Sequence, residues 1–207
     1  MALFLEEGYE NVTVEAVAEA SRVSRRTVFR HFESKDELAF PDHNERIGLV
    51  QRCLVESNPD ADPVEVVIAA TEESLHDFLS RPELVLRRYK LTRLVPELRK
   101  REVIEHERYV TLTRSFLRDR LPPDTPPFQS MGLAALVDAI HRSALGNWAR
   151  SGGTTDAIAE VEAGMEWVRR LLVQESSTTP LLLAVLPDAP QTRRVLSSLR
   201  DAAKELP

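Results

Sequence analysis

The sequence predicts an all-α protein, with an N-terminal helix-turn-helix head followed by a larger helical body, on three observations. Only 7 glycines occur in 207 residues, and no useful run alternates apolar with polar side chains, which argues against a sheet. Apolar residues recur instead at helical spacing along most of the chain. Proline, aspartate, serine and threonine interrupt that pattern where helices would begin. The composition, 43% hydrophobic and 29% charged, is that of an ordinary folded chain.

The elements follow in order. Residues 1–7 read as the tail of a helix, with Gly8 as its left-handed cap and Tyr9 placed for an apolar contact. Thr13 is an N-cap for a short helix from Val14 to Ala20, whose inner face carries Val14, Val17 and Ala18. Ser24 caps the next, from Arg25 to about Phe32. Ser34 to Glu37 form a Ser-x-x-Glu capping box for a fourth helix. Pro41 should kink or restart that helix, which then runs toward Glu56.

In the body, Asp62 with Pro63 opens a helix to Leu79, Pro82 one to about Leu94, and Pro96 one to Leu121. The proline-rich run 122–127 is a stiff connector. Two more helices are expected at Ser130–Arg150 and Thr155–Gln174, joined across Gly152 and Gly153. A Pro-bounded apolar stretch, Leu181 to Leu186, and a terminal helix around Thr192–Leu206 close the chain. The head is expected at 1–40 and the body at 41–207.

Several function classes are disfavoured. The lone Cys53 excludes an intramolecular disulfide, fits a reducing cytoplasm, and sits in a helical apolar pattern that suggests burial. No basic-then-apolar leader and no apolar run near ~20 residues is present, so a cytoplasmic protein is expected. None of the five histidines falls in a His-Glu-x-x-His spacing, and there is neither a glycine-rich phosphate loop nor a nucleophile with a base. Asp42, His43 and Glu45 read as a solvated polar turn rather than a ligand cluster. No catalytic residue, metal site or cofactor is expected.

The informative segment is TVEAVAEASRVSRRTVFRHFESK, residues 13 to 35. Two short helices with a tight turn between them, the second opened by a serine cap, form a helix-turn-helix pattern. Between Arg22 and Lys35 five basic residues (Arg22, Arg25, Arg26, Arg30, Lys35) face one acidic residue, Glu33, a local balance of +4 in a chain of net −6. A positive island on an acidic protein suits selective capture of a polyanion. Arg25, Arg26 and Thr27, in the first turn after Ser24, can project into a major groove. Arg26 and Arg30 share one face at i, i+4, while Val28 and Phe32 share an inward one. Arginine suits guanine through its two-donor fork. Lys35 would hold a phosphate together with nearby backbone N–H groups.

The run ALFLEEGYENVTVEAVAEASRVSRRTVFRHFESKDEL, Ala2 to Leu38, resembles the N-terminal signature of TetR-type repressors. It carries the Leu-Phe before Gly-aromatic, the Thr-Val opening helix two, the Val-Ser before the recognition helix, aromatic-x-His-Phe, and Ser-Lys-x-x-Leu. The resemblance implies that Thr13 caps helix two and touches a phosphate. It places Arg25, Arg26 and Thr27 in the base-reading turn, Arg30 and His31 at its far end, and Lys35 at the phosphate anchor. It also implies ten or more residues of helix one upstream of Ala2. Two positions depart from the family pattern. Arg22 stands where glycine is usual, so a left-handed backbone there would be strained or the turn would differ. Phe29 replaces a tyrosine whose hydroxyl commonly reaches the DNA backbone.

The resemblance further implies a homodimer on a near-palindromic DNA operator, released by a small-molecule effector bound in the body. Candidate lining residues are Phe78, Tyr89, Phe116 and Trp148, with Arg88 or Arg93 as a polar handle. Ile158, Val161, Met165, Val168 and Leu172 form a narrow stripe. Leu133, Leu136, Val137, Ile140 and Leu145 face it from the preceding helix. Either these stripes pair across a two-fold axis in a four-helix interface, or they close the monomer's own core. The remaining rivals are an enzyme and a helical interaction module without an operator.

Overall fold

The computed structural model describes residues 1–175, and every regular element among them is helical. The expected helix at Thr192–Leu206 and the stretch Leu181–Leu186 lie outside the described residues. Three short helices come first: α1 (Ala2–Glu6), α2 (Val14–Ala20) and α3 (Arg25–His31). A 3-10 turn, Asp36–Ala39, leads to α4 (His43–Val55). The longer helices are α5 (Pro63–Ser80), α6 (Pro82–Leu94), α7 (Pro96–Arg120), α8 (Pro127–Arg150) and α9 (Ala157–Glu175). Among the described residues no helix is long and apolar enough to cross a membrane.

Local chemistry explains most boundaries. Asp62 accepts from the backbone N–H of Val64 (2.7 Å) and Glu65 (3.3 Å), and Pro63 takes the first position of α5, where an N–H is dispensable. α8 ends in a Schellman motif. Gly153 N–H donates to the Trp148 carbonyl at 2.8 Å and Gly152 N–H to that of Ala149 at 3.2 Å, with φ of +88° and +71° at the two glycines.

The expected capping box is corrected. Glu37 does reach back, but its carboxylate accepts from Glu33 N–H at 2.7 Å, and no side chain caps the turn. The residues after Ser34 therefore close a 3-10 turn, and Pro41 separates it from α4. The fourth helix is restarted rather than kinked.

By packing, the chain divides into residues 1–168 and 169–207. In the first unit the head core contains Phe4, Val12, Ala18, Val28, Leu38, Ala39 and Phe40, and Leu91 of α6 and Leu98 of α7 close it. In the body the buried apolar residues include Val67, Ile68, Leu75 and Phe78 of α5 together with Leu117, Val137, Val161, Met165 and Val168. α8 and α9 approach closely: a Cβ on Gly164 would run into the Ile140 side chain. Of the second unit the described residues are 169–175, the end of α9.

Candidate functional site

The turn between α2 and α3 is built by side chains and one unusual backbone angle. Thr13 Oγ1 accepts from Ala16 N–H at 3.1 Å, fixing the start of α2. Val23 N–H donates to the Ala18 carbonyl and Arg22 N–H to that of Glu19, both at 3.0 Å, which is again a Schellman closure. Arg22 occupies its left-handed position with φ +56°. Ser24 Oγ accepts from Thr27 N–H at 3.1 Å and pairs with the Thr27 hydroxyl at 2.8 Å. Val28 then points inward and is buried, leaving Arg25, Arg26, Phe29, Arg30 and His31 exposed.

The exposed cations are unequally committed. Arg25 pairs with Glu15 of α2 at 2.8 Å and lies over the Phe29 ring, 5.3 Å from its centroid. Arg30 touches the His31 ring at 3.3 Å. Arg26 forms neither ion pair nor hydrogen bond among the described residues. Lys35 is held back against the head: Nζ sits 4.3 Å above the Tyr9 ring and 3.4 Å from the Glu10 carbonyl. Phe29, lacking a hydroxyl, offers an apolar face that is 43% exposed.

The body holds two adjoining chambers. The larger, of about 340 Å³, lies between α5, α6, α7 and α8, with Phe78, Arg88, Tyr89 and Arg93 among its walls. A smaller one, of about 40 Å³, shares Phe78 and His106 with it and contains Tyr109, Asp138 and His141. Burial, then Arg142, lowers the His106 pKa to about 3, and burial with Arg46 lowers that of His141 to about 4. Burial raises the Tyr109 hydroxyl well above its ordinary range. All three are therefore neutral at pH 7. Phe40 and His43 line both the large chamber and a cleft that reaches His31 at the end of α3.

A buried ion network flanks this chamber. Arg46, fully buried, pairs with Asp42 and Asp77 at 2.7 Å each and stacks 3.5 Å from the Phe78 centroid. Arg88 pairs with the other oxygen of Asp42 at 2.8 Å. Burial opposes the Asp42 charge, but Arg88 and Arg46 prevail and hold its carboxyl below the usual range. Glu105 receives Arg101 and Arg108 at 2.7 Å, with His43 at 3.6 Å, beyond hydrogen-bond reach. Burial disfavours its charge, yet His43 and Arg108 hold its pKa at about 2. Arg101 also reaches Glu37 of the 3-10 turn at 3.1 Å, tying head to body.

Comparison with known proteins bears on the head. Residues 1–40 match the family described as bacterial regulatory proteins, tetR family. The match covers the helix-turn-helix head and stops short of the body. The HTH-type transcriptional regulator TcmR of Streptomyces glaucescens is 59% identical over 39 residues, which is 19% of this chain and 17% of that protein. This chain thus matches less than a fifth of that relative's length. Among solved TetR-family structures from Thermus thermophilus, FadR resembles the fold of this chain. FadR, a transcriptional repressor in complex with lauroyl-CoA, has a TM-score of 0.52 and 20% identity over 91% of this chain and 95% of that one. PfmR has a TM-score of 0.46 and 21% identity, covering 82% and 93%.

The sequence-predicted residues separate into groups. Thr13, Arg22, Ser24, Arg25, Arg26, Thr27, Phe29, Arg30, His31 and Lys35 all lie on α2, α3 and their flanks. Thr27 and Lys35 are engaged within the head, as above. Phe78, Arg88, Tyr89 and Arg93 line the larger chamber, whereas Phe116 and Trp148 do not. Phe116 lies under Arg120 instead, and Trp148 packs beside Gly153. Val137, Val161, Met165 and Val168 are at most 2% exposed in the single chain, so they close its own core rather than a surface. Leu133, Leu136, Ile140, Leu145, Ile158 and Leu172 are half-buried, as is Cys53.

The solvated turn expected at Asp42, His43 and Glu45 is corrected as well. Glu45 is exposed, but Asp42 and His43 are buried beneath α6 and α7 partners. Sequence reasoning missed Arg46 and Glu105 altogether. The signals were present as i, i+4 spacing in Asp42–Arg46 and Arg101–Glu105, and as i, i+3 in Glu105–Arg108. Such pairs are usually exposed, and nothing local distinguishes buried ones.

Proposed function

We propose that this chain is a ligand-responsive transcriptional repressor that binds a near-palindromic DNA operator as a homodimer and releases it when a small molecule occupies the body. The observation that carries the reading is the outer face of α3, where Arg26 and Arg30 project beside one another and Arg26 has no internal partner. Arg26 reads a base edge, and Arg22, Arg30 and Lys35 contribute attraction to phosphates. Two such heads, with half-sites roughly 34–36 Å apart or a multiple of this, supply the specificity that one seven-residue helix lacks.

The dimer surface is the outward side of α8 and α9. Phe128, Met131 and Trp167 are 65%, 51% and 42% exposed, and Ala135, Ala139 and Ala163 extend the same faces. Exposed aromatic and methionine side chains at helical spacing suit an isologous four-helix contact. The ligand acts through Phe40 and His43, which border both the chamber and the cleft beneath α3. A ligand favouring a different setting of these two side chains shifts the Glu37–Arg101 tie and with it the head. The FadR neighbour, solved with lauroyl-CoA, is consistent with a small-molecule site in such a body.

The test is binding of the purified protein to DNA from its own upstream region under a salt titration. Selective binding should weaken steeply between ~50 and 200 mM salt. Arg26→Ala should weaken it by roughly tenfold or more and relax selectivity. Absence of selective binding at low salt overturns the repressor reading and leaves a helical interaction module.

A further inference from the structure

We propose that the larger chamber takes an apolar-bodied carboxylate, its charge at Arg99 and Arg150 and its far end entering the adjoining smaller chamber to offer a neutral hydrogen-bonding group to Tyr109 and His141. This deepens the reading of the body as a ligand-responsive unit and rests on it. Five arginines line the chamber against a single acidic residue, Glu102. Three of them are already neutralised: Arg88 by Asp42 at 2.8 Å, Arg93 by Glu102 at 3.1 Å and Arg142 by Asp138 at 2.7 Å. The polar handles expected from sequence, Arg88 and Arg93, are therefore occupied from within.

Arg99 and Arg150 remain. Arg99 donates to the Arg93 carbonyl at 3.3 Å and Arg150 to the Asn147 side chain, and neither forms an ion pair among the described residues. Both are exposed, so they stand at the solvent side of the chamber. A mouth with two cations and no internal counter-ion attracts an anion and repels a cation. The intervening wall is apolar and aromatic, with Phe40, Phe78, Val85 and Leu145, which suits a hydrocarbon or aromatic body.

The adjoining smaller chamber has the opposite character. The Tyr109 hydroxyl and His141 Nε2 are buried with no hydrogen-bond partner. Such groups are rarely left unmatched in a folded protein. The chamber holding them is small, about 40 Å³, and its histidines are neutral. A hydroxyl or carbonyl on the ligand would match them, whereas a second carboxylate would meet Asp138, already paired with Arg142, and no free cation among the described residues that line it.

The test uses the full chain without DNA and calorimetric titration with 6-hydroxy-2-naphthoic acid, its carboxamide, and 2-naphthoic acid. The hydroxy acid should bind roughly tenfold or more tightly than the carboxamide. The Arg99→Gln/Arg150→Gln double variant, altered only at exposed side chains, should keep the unliganded Tm and level the two. Loss of the ligand hydroxyl, or Tyr109→Phe, should weaken the acid several-fold while leaving its preference over the amide intact. Equal binding of acid and amide, a preference surviving the double variant, or no binding of the acid at ~1 mM each overturns the proposal. Arginine-dependent binding that leaves operator DNA bound upholds the ligand class and rejects the regulatory reading instead.

Discussion

The head and the body use the same charged residue types in opposite ways. On α3 the cations lie in solvent: Arg25 and its partner Glu15 keep 65% and 52% of their side-chain surface exposed, and Arg26 has no partner. In the body Arg46 and Glu105 are at most 1% exposed, and each draws two opposite charges to 2.7 Å. An exposed pair contributes ~0–1 kcal/mol, whereas breaking a buried one typically destabilises by ~3–5 kcal/mol. Charge on α3 therefore remains available to a partner molecule, while charge around Asp42 holds the helices in register.

The largest expected effect follows from that contrast. Asp42→Ala leaves Arg46 and Arg88 buried against each other and should reduce unfolding stability by about 3–5 kcal/mol in urea denaturation. A loss below ~1 kcal/mol would mean that Asp77 alone compensates, and the contrast would be broken. Acid should act next. Between pH 6.5 and about 4, unfolded chains protonate histidines that His141 and His106, with folded pKa values of about 4 and about 3, do not. Stability should therefore fall as pH drops below 6.5, by on the order of 1–3 kcal/mol. His141→Gln should flatten that slope. The carboxylates Asp42 and Glu105, held low when folded, add their own loss only below about pH 4.5.

Smaller effects sharpen the comparison from the packing side and the head side. Gly164→Ala gains helix propensity but drives a methyl into Ile140, for a net loss of ~1–3 kcal/mol on thermal unfolding. An unchanged Tm would show that α8 and α9 separate freely. Arg22→Gly relieves a left-handed arginine and should raise stability by up to ~1 kcal/mol. At the bottom of the scale, Arg26→Ala should change stability by less than ~0.5 kcal/mol. A larger shift would mean that α3 needs this charge for folding and not only for binding.

Legibility in the sequence follows the range of the signal. Thr13, Ser24, Asp62 and the Gly152–Gly153 pair act within five residues of themselves, and the helices they begin or end fall within about three residues of expectation. The strain expected at Arg22 is present as its positive φ. The 3-10 turn after Ser34 went unread because Glu37 bonds one residue earlier than a capping box requires. Contacts such as Arg88–Asp42 and Arg101–Glu37 join residues 46 and 64 positions apart, and no periodicity encodes them. The apolar stripe Val161–Met165–Val168 was legible as a stripe. Whether it met its own chain or a partner depended on the position of α8, which periodicity alone leaves open.

The apolar cluster of the head has a practical corollary for anyone grafting DNA-reading heads between such proteins. Its wall is completed by Leu91, Val95 and Leu98, which arrive from α6 and α7 more than fifty positions downstream. A chimaera joined at residue 40 would set a borrowed head on foreign side chains and leave a mismatched seam where Phe4 and Leu38 now meet their own. The transplantable module is discontinuous: residues 1–40 together with a three-residue socket on the recipient.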